Sequence, residues 1–415
     1  MKPKIGILSL GCPRNLVDSE TIIGRLAVKG YTITENISQA DVGIVNTCAF
    51  IDEARRESID AILDLIELKK EGGLKKIIVY GCLSQRYKSR LQKELPEIDA
   101  FIGKVSLNHE VSRFPITPSH YAYLKICEGC INNCSYCAIP KIKGKLASLD
   151  KDSLIAKVRQ FNKGKTSELN IIGQDISGYG IDLYGEPGLS SLLKEILKNC
   201  QDIGWVRLLY LYPSRVDEDL LKIIRDSRKV CKYIDLPVQH INNRLLKLMN
   251  RNTARKEIAT LLDKIRKYIP GVFLRTSVIV GFPSEKDKEF KELLSFLKEV
   301  KFERLGAFIY SREEDTPAYG FKAQVPKEIK DERFNAVMSL QQKISAEVNK
   351  KFLGKMIEVL IDQKEKDFYL GRTQFDAPEV DGTVFVRSKK SLMPGEFVKV
   401  KITDTLEYDL SGEAV

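Results

Sequence analysis

Three short apolar runs near the amino terminus, IGILSLG, VGIVNT and KIIVYG, each lead into a cysteine: Cys12, Cys48 and Cys82. A helical stretch follows each cysteine, the clearest running from Asp52 to Glu71. Unbroken β-rich runs are the pattern of strands buried on both faces. Strand-helix alternation then requires a parallel sheet, with all strand carboxyl ends along one edge. Ligands of such sheets bind at that edge. Three thiols at the same topological position therefore converge in space. One buried cysteine in a sheet core is commonplace; three at one edge point to a shared metal or cluster site.

Between about Val105 and Ala122 the pattern loosens around Pro115 and Pro118, as a linker does. A second strand-helix series follows: YLKIC, ELNIIGQD, WVRLLYLY, YIDLPVQH, VFLRTSVIVGF and RLGAFIYS. Helical segments Ser153–Lys163, Leu189–Asn199, Asp217–Asp226 and Lys256–Tyr268 lie among them. Six strands make a partial β/α barrel, short of eight full units. Gln174 and Asp175, Gln239 and His240, and Ser311 to Glu314 follow strands, where a barrel keeps its active site. A long amphipathic helix spans Lys327 to about Phe352, and the remaining strands are broken by Gly, Pro and Asp. The expected class is α/β: a parallel-sheet domain over 1–115, a partial TIM-like barrel over 120–346, and a small antiparallel β-barrel over 350–415.

The most specific motif is EGCINNCSYCAIP, where Cys130, Cys134 and Cys137 are spaced C-x3-C-x2-C just after the first barrel strand. A four-iron cluster normally takes four thiolates, so three from one tight loop leave an iron open for substrate or cofactor. Cys127 offers another reading, a tetrahedral zinc held by Cys127/Cys130 and Cys134/Cys137. Those pairs stand only four residues apart, whereas a zinc ribbon separates them by about 15–20. Nine cysteines in 415 residues are too few for a disulfide scaffold, and six of them fall in the two organised sets. No stretch approaches the roughly 18 apolar residues of a membrane span, and the start lacks a secretion-signal layout. A cytoplasmic protein without a membrane partner is expected.

The C-x3-C-x2-C loop, with Tyr136 before its last cysteine, resembles the signature of radical S-adenosylmethionine enzymes. That resemblance implies that the open iron chelates the amine and carboxylate of S-adenosylmethionine. An electron from the cluster then cleaves it, and the resulting 5′-deoxyadenosyl radical abstracts a hydrogen atom. With a three-cysteine domain before the barrel and a TRAM-type barrel after it, almost the whole chain resembles the methylthiotransferases. LGCPRNLVDSE, IKGKLAS, QDISGYGIDLYG, LPVQH, YSREEDTPA and DAPEVDGTVF resemble their RimO-type branch, which modifies the β-carbon of an aspartate in protein S-twelve of the small ribosomal subunit. The MiaB-type relatives, which modify a tRNA adenosine next to the anticodon, usually carry Gln-Met-Asn where this chain has Pro13-Arg14-Asn15.

The resemblance implies two 4Fe-4S clusters, one on Cys130, Cys134 and Cys137 and a sulfur-carrying one on Cys12, Cys48 and Cys82. S-adenosylmethionine would serve as both methyl donor and radical source, with an external electron donor and a sulfur donor. Tyr136 is expected against the adenine, and Gln174, Asp175 and Arg275 are expected to contact the cofactor. Cys127 stands where the branch often has serine.

The net charge of +11 permits a nucleic-acid partner. Yet from Lys351 to Val415 ten Lys and Arg stand against twelve Asp and Glu. A barrel gripping tRNA would concentrate positive charge. The acidic turn from Asp376 to Asp381 is therefore expected to face a basic protein such as ribosomal protein S-twelve. A non-catalytic metal protein that binds RNA through its last domain is the contrasting class.

Overall fold

The computed structural model describes residues 2–104 and 114–415; the first half of the expected linker, Val105 to Arg113, lies outside the described residues. The chain opens with β1 (Lys4–Ser9), α1 (Pro13–Val28), β2 (Thr32–Thr34), β3 (Val42–Thr47), α2 (Asp52–Lys70), β4 (Lys76–Gly81), α3 (Cys82–Glu94) and β5 (Ala100–Ile102). The five strands are parallel, in the order β2-β1-β3-β4-β5. Val45, Ile77 and Val79 are fully buried between helices, which is why their runs are continuous rather than alternating.

A second unit follows. It begins with β6 (Tyr121–Lys125), then the cysteine loop between the ribbon strands β7 (Cys127–Glu128) and β8 (Ala147–Ser148), with the single turn α4 (Ile139–Ile142) inside it. Next come α5 (Lys151–Lys163), β9 (Glu168–Ile172), α6 (Ile181–Tyr184), α7 (Leu189–Lys198), β10 (Trp205–Leu208), α8 (Glu218–Asp226) and β11 (Tyr233–Asp235). The unit ends with α9 (Asn243–Leu248), α10 (Arg255–Tyr268), β12 (Phe273–Val280), α11 (Asp287–Val300), β13 (Arg304–Ile309) and α12 (Lys327–Asn349).

The six strands β6 and β9–β13 form two parallel three-stranded halves, and Val206 bridges to Val230 where the halves meet. Helix α8 shows how the sequence builds the outer layer. The Asp217 side chain accepts from the Leu220 amide, and Glu218 and Asp219 suit the positive end of the helix dipole. Leu220, Leu221 and Ile224 then form the stripe it buries on the sheet.

The last unit is a closed barrel of β14 (Met356–Lys364), β15 (Tyr369–Arg372), β16 (Val384–Arg387), β17 (Phe397–Thr405) and β18 (Leu410–Ala414). Its ladders are antiparallel except β16 against β18, the parallel pair that closes it. Among the described residues no helix is long and apolar enough to cross a membrane.

The small barrel sits on the amino ends of the six strands β6 and β9–β13. Tyr121, Glu168, Trp205, Tyr233, Phe273 and Arg304 are the first residues of β6, β9, β10, β11, β12 and β13. Each meets the C-terminal unit. Arg304 pairs with Asp376 at 2.6 Å and Glu168 with Arg372 at 2.7 Å. The Tyr121 and Tyr233 hydroxyls donate to Glu379 at 2.9 Å and Asp381 at 2.6 Å. Phe273 stacks on Phe375, centroids 4.2 Å apart, and Trp205 meets Phe397 edge-on at 4.8 Å.

These contacts overturn the expectation that the acidic turn faces a basic partner. Asp376 and Asp381 are turned inward, because buried arginines and tyrosine hydroxyls on the strand ends need partners out of water. The Asp376 and Arg304 side chains are 3% and 6% exposed. Asp376→Lys is therefore expected to leave two like charges buried and to lower the unfolding free energy by about 3–5 kcal/mol. Urea unfolding and limited proteolysis of the C-terminal barrel check this; an unchanged midpoint with an intact barrel would contradict it.

Candidate active site

At the carboxyl edge of the N-terminal sheet Cys12 caps α1, Cys48 follows β3 and Cys82 opens α3. Gly11 (φ +85°) makes the turn into Cys12, and a Cβ there would fall 2.7 Å from the Cys48 Cβ. Only glycine lets the two segments approach so closely. Asn15 Nδ2 donates to the Leu10 and Thr47 carbonyls at 3.1 and 3.2 Å, and the Cys82 thiol lies 3.8 Å from Asn15 Oδ1. Ser58 Oγ accepts from the Cys48 amide and donates to its carbonyl, both at 2.9 Å.

Burial raises the Cys48 thiol and pushes Cys82 up to about 12. Cys12 differs. Burial opposes its ionisation, but the charge of Arg14, whose Nε donates to Cys12 Sγ at 3.4 Å, brings the thiol below its ordinary value.

The second set lies at the carboxyl end of β6. Gly129 (φ +74°) admits the loop, since a Cβ there would sit 2.2 Å from the Lys145 carbonyl. Asn132 donates from its backbone and side chain to Cys130 Sγ at 3.4 and 3.5 Å. Ser135 ties the loop to the end of α9, its amide donating to the Met249 carbonyl at 3.0 Å and its hydroxyl to that of Leu248 at 2.7 Å. Burial raises Cys130 and pushes Cys137 up to about 12. Among the described residues no three His, Cys, Asp or Glu side chains close around a single point as they would for one ion. Three thiols from one loop, with N–H donors aimed at a sulfur, fit the ligand set of an iron-sulfur cluster.

The two sets face each other across the carboxyl edge of the barrel. Arg14 Nη1 donates to the Gly173 carbonyl just after β9 at 2.9 Å, and its charge favours ionisation of Cys137 as well as Cys12. The guanidinium lies over the Tyr210 ring at 4.5 Å. Two residues on, the Tyr212 ring carries Arg251 at 4.1 Å and Arg215 at 4.6 Å, and Arg251 Nη1 approaches Cys134 Sγ at 4.0 Å. Tyr210 has a left-handed backbone (φ 68°), which costs an aromatic residue about 1–3 kcal/mol. Its amide donates to Asp235 at 2.9 Å and its carbonyl accepts from Ile176 at 3.1 Å, which holds it there.

Gln174 and Asp175 reach the cysteine loop. Gln174 donates to Glu128 at 2.7 Å, and Asp175 accepts from Asn132 at 2.7 Å and pairs with Arg215. Beside them a cleft of about 200 Å³ is lined by Asn132, Tyr212, Arg215, Asn250 and Asn252. Tyr136 packs with Leu248 and Ile279 against Met249 and Phe282, and burial raises its hydroxyl well above the usual range.

Arg275 is not brought to the loop. It is the third residue of β12, paired with Asp235 at 3.1 Å and with Asp381 of the C-terminal barrel at 3.4 Å. His240 is held as a structural histidine, Nδ1 accepting from the Asn242 amide at 3.0 Å and Nε2 facing Glu285 at 3.1 Å. Cys127 is fully buried behind the loop, 3.8 Å from the Asp175 carbonyl. The sequence reading did not single out Tyr210, Arg215 or Arg251, and used Arg14 only as a family marker. The available signal for Arg14 was its place two residues after Cys12.

Three family profiles match the chain: uncharacterized protein family UPF0004 at residues 4–103, the radical SAM superfamily at 124–297 and the TRAM domain at 353–415. The ribosomal protein uS12 methylthiotransferase RimO of Clostridioides difficile (strain 630) is 46% identical over 439 residues, covering 99% of each chain. Its namesake from Caldicellulosiruptor saccharolyticus is 45% identical over 441 residues, covering 99% of this chain and 100% of its own. Among solved structures, the radical S-adenosylmethionine methyltransferase TsrM from Kitasatospora setae, with cobalamin and a 4Fe-4S cluster bound, aligns at a TM-score of 0.56 and 11% identity. That alignment covers 89% of this chain and 81% of TsrM, and it shows a shared fold.

Gly11→Ala is expected to force the Cys12 and Cys48 segments apart and to lower the unfolding free energy by about 1–3 kcal/mol. Urea unfolding together with the rate of Cys48 alkylation checks it; no change in either would show that the turn tolerates a side chain.

Proposed function

This chain belongs to the RimO family of ribosomal protein uS12 methylthiotransferases, and from that premise we propose how its residues divide the work. It is a radical S-adenosylmethionine methylthiotransferase that uses iron-sulfur chemistry. Its proposed substrate is an aspartate side chain of ribosomal protein uS12, on whose β-carbon a methylthio group replaces hydrogen. One observation carries this reading: two three-cysteine sets, on separate domains, face each other over one barrel edge. An enzyme that ran only the radical step would have no need of Cys12, Cys48 and Cys82.

When bound, one 4Fe-4S cluster and S-adenosylmethionine supply the electron, the radical and the methyl group, while a second cluster carries the sulfur. Cys130, Cys134 and Cys137 are proposed to hold the first cluster and Cys12, Cys48 and Cys82 the second. Asn132 donates to the Cys130 sulfur, and Arg251 and Arg14 each set a positive charge beside one thiol set. Such contacts tune a cluster through its net charge and the hydrogen bonds to its sulfurs. Asn132 and Arg215 line the cleft and would offer an amide and a guanidinium to the cofactor's polar groups, and the buried Asp175 carboxylate holds both in place. Tyr136 supplies the aromatic face of the loop, and Gln174 orients Glu128. An external reductant and a sulfur donor complete the reaction.

Domain seating serves the same end. Lys125 and Lys143 both pair with Asp18 of α1, and Lys125 also pairs with Glu128 at 2.6 Å. On the far side Arg86 of α3 pairs with Glu313 at 2.9 Å and donates to the Glu314 carbonyl at 2.7 Å. The N-terminal sheet is thus held over the barrel at two places, which fixes the separation of the thiol sets.

Anaerobic reconstitution is expected to give about eight irons per chain. Replacing Cys130, Cys134 or Cys137 by alanine should abolish cleavage of S-adenosylmethionine. Replacing Cys12, Cys48 or Cys82 should spare at least part of that cleavage and stop methylthiolation of uS12, read by its mass. Equal loss of both activities from either set, in folded protein, would contradict the division.

A further inference from the structure

Most buried arginines of this protein meet a carboxylate: Arg86 meets Glu313 at 2.9 Å, Arg207 meets Glu168 at 2.7 Å and Arg333 meets Glu285 at 2.8 Å. Arg14 does not. Its Nε is directed at Cys12 Sγ and one N–H of Nη1 at the Gly173 carbonyl, with the Tyr210 ring against its plane. Among the described residues its Nη2 has no hydrogen-bond partner and no carboxylate pairs with it. The acid whose charge reaches it, Glu128, is already taken by Lys125 at 2.6 Å, Lys143 at 3.6 Å and Gln174 at 2.7 Å. Arg251, the matching cation at the other thiol set, is closed off: it is 8% exposed, clamped on Tyr212 and bonded to the Pro237 carbonyl at 2.6 Å. Arg14 is half-buried and still open.

We propose that Arg14 receives the carboxylate of the target aspartate and thereby selects an acidic side chain as substrate. The inference rests on the substrate reading above and adds the residue that recognises it. A planar guanidinium reads a carboxylate through parallel N–H donors, and one pinned by three contacts loses little freedom on binding. Its place fits the chemistry. The carbon that gives up hydrogen toward one thiol set and takes sulfur from the other has to lie between the sets, where Arg14 stands. In aspartate that β-carbon is bonded directly to the carboxylate, so gripping the carboxylate fixes the reacting atom one bond away. A nucleobase offers no anionic group at that point, so the same cation favours a protein target over RNA.

The test uses the full-length, cluster-loaded enzyme with two forms of purified uS12, the natural protein and a variant with asparagine in place of the modified aspartate. Equilibrium binding without reductant keeps turnover out of the measurement. The unaltered enzyme is expected to bind the aspartate form about ten- to hundredfold more tightly than the asparagine form. In Arg14→Gln that ratio should fall to near one through loss on the aspartate form alone, and Arg14→Lys should restore part of it. A purely structural role for Arg14 would weaken both forms alike and leave the ratio unchanged, which would overturn the assignment. If the unaltered enzyme binds neither form and methylthiolates tRNA instead, the substrate reading falls and the assignment with it. That outcome shows before any variant is made.

Discussion

Thiols that would have to lose their protons to hold iron, set where burial resists that charge, are the constraint around which this molecule is arranged. Six thiols in two sets, proposed to serve as cluster ligands, approach one another in an interior where an unpaired charge is costly. The answering positive charge comes from Arg14 and Arg251, and both lie over tyrosine rings on one short stretch after β10. Arginine suits this task better than lysine, because its charge is spread over a plane that stacks while its edge still donates. The strained backbone at Tyr210 belongs to the same arrangement, since it aims one ring at the N-terminal domain while Tyr212 faces the cysteine loop.

Ion pairs also settle how the three units sit together. Asp18 with Lys125 and Lys143, Arg86 with Glu313, and Arg304 with Asp376 are each nearly withdrawn from solvent. Such pairs add little net stability over well-packed apolar contacts, because desolvation offsets the attraction. Breaking one leaves its partner stranded, however, so each tolerates a single seating of the domains. The proposed division of work between two thiol sets on separate domains needs that geometry more than extra stability.

Much of this was legible in the sequence, for physical reasons that also set the limits. The central strands β1, β3 and β4 and all six barrel strands announce themselves because burial on both faces demands continuous apolar runs. β2 and β5, three residues each, are too short to show any period, and β18, LSGEA, is nearly without apolar character. The cysteine positions were readable because spacing alone carries the motif. The destinations of long charged side chains were not. Asp376 and Asp381 looked like a surface turn until the strand-end groups that hold them were seen, and Arg275, expected at the cofactor, pairs with Asp235 and with Asp381 of that turn. Charge partners chosen across a fold leave no local periodicity, so counting acids and bases by domain misplaced them.

The two cysteine sets differ in how the chain delivers them. Cys130, Cys134 and Cys137 lie within eight consecutive residues, so their loop needs little beyond its own turn to present three sulfurs. Cys12, Cys48 and Cys82 stand at the ends of three different crossovers, and they meet only when β1, β3 and β4 have paired in register. Closing long stretches of chain carries an entropic cost that short loops avoid, and non-local pairing forms slowly. The two halves of the site are thus made on different clocks: one is available as soon as its segment turns, and the other exists only as a property of the finished sheet.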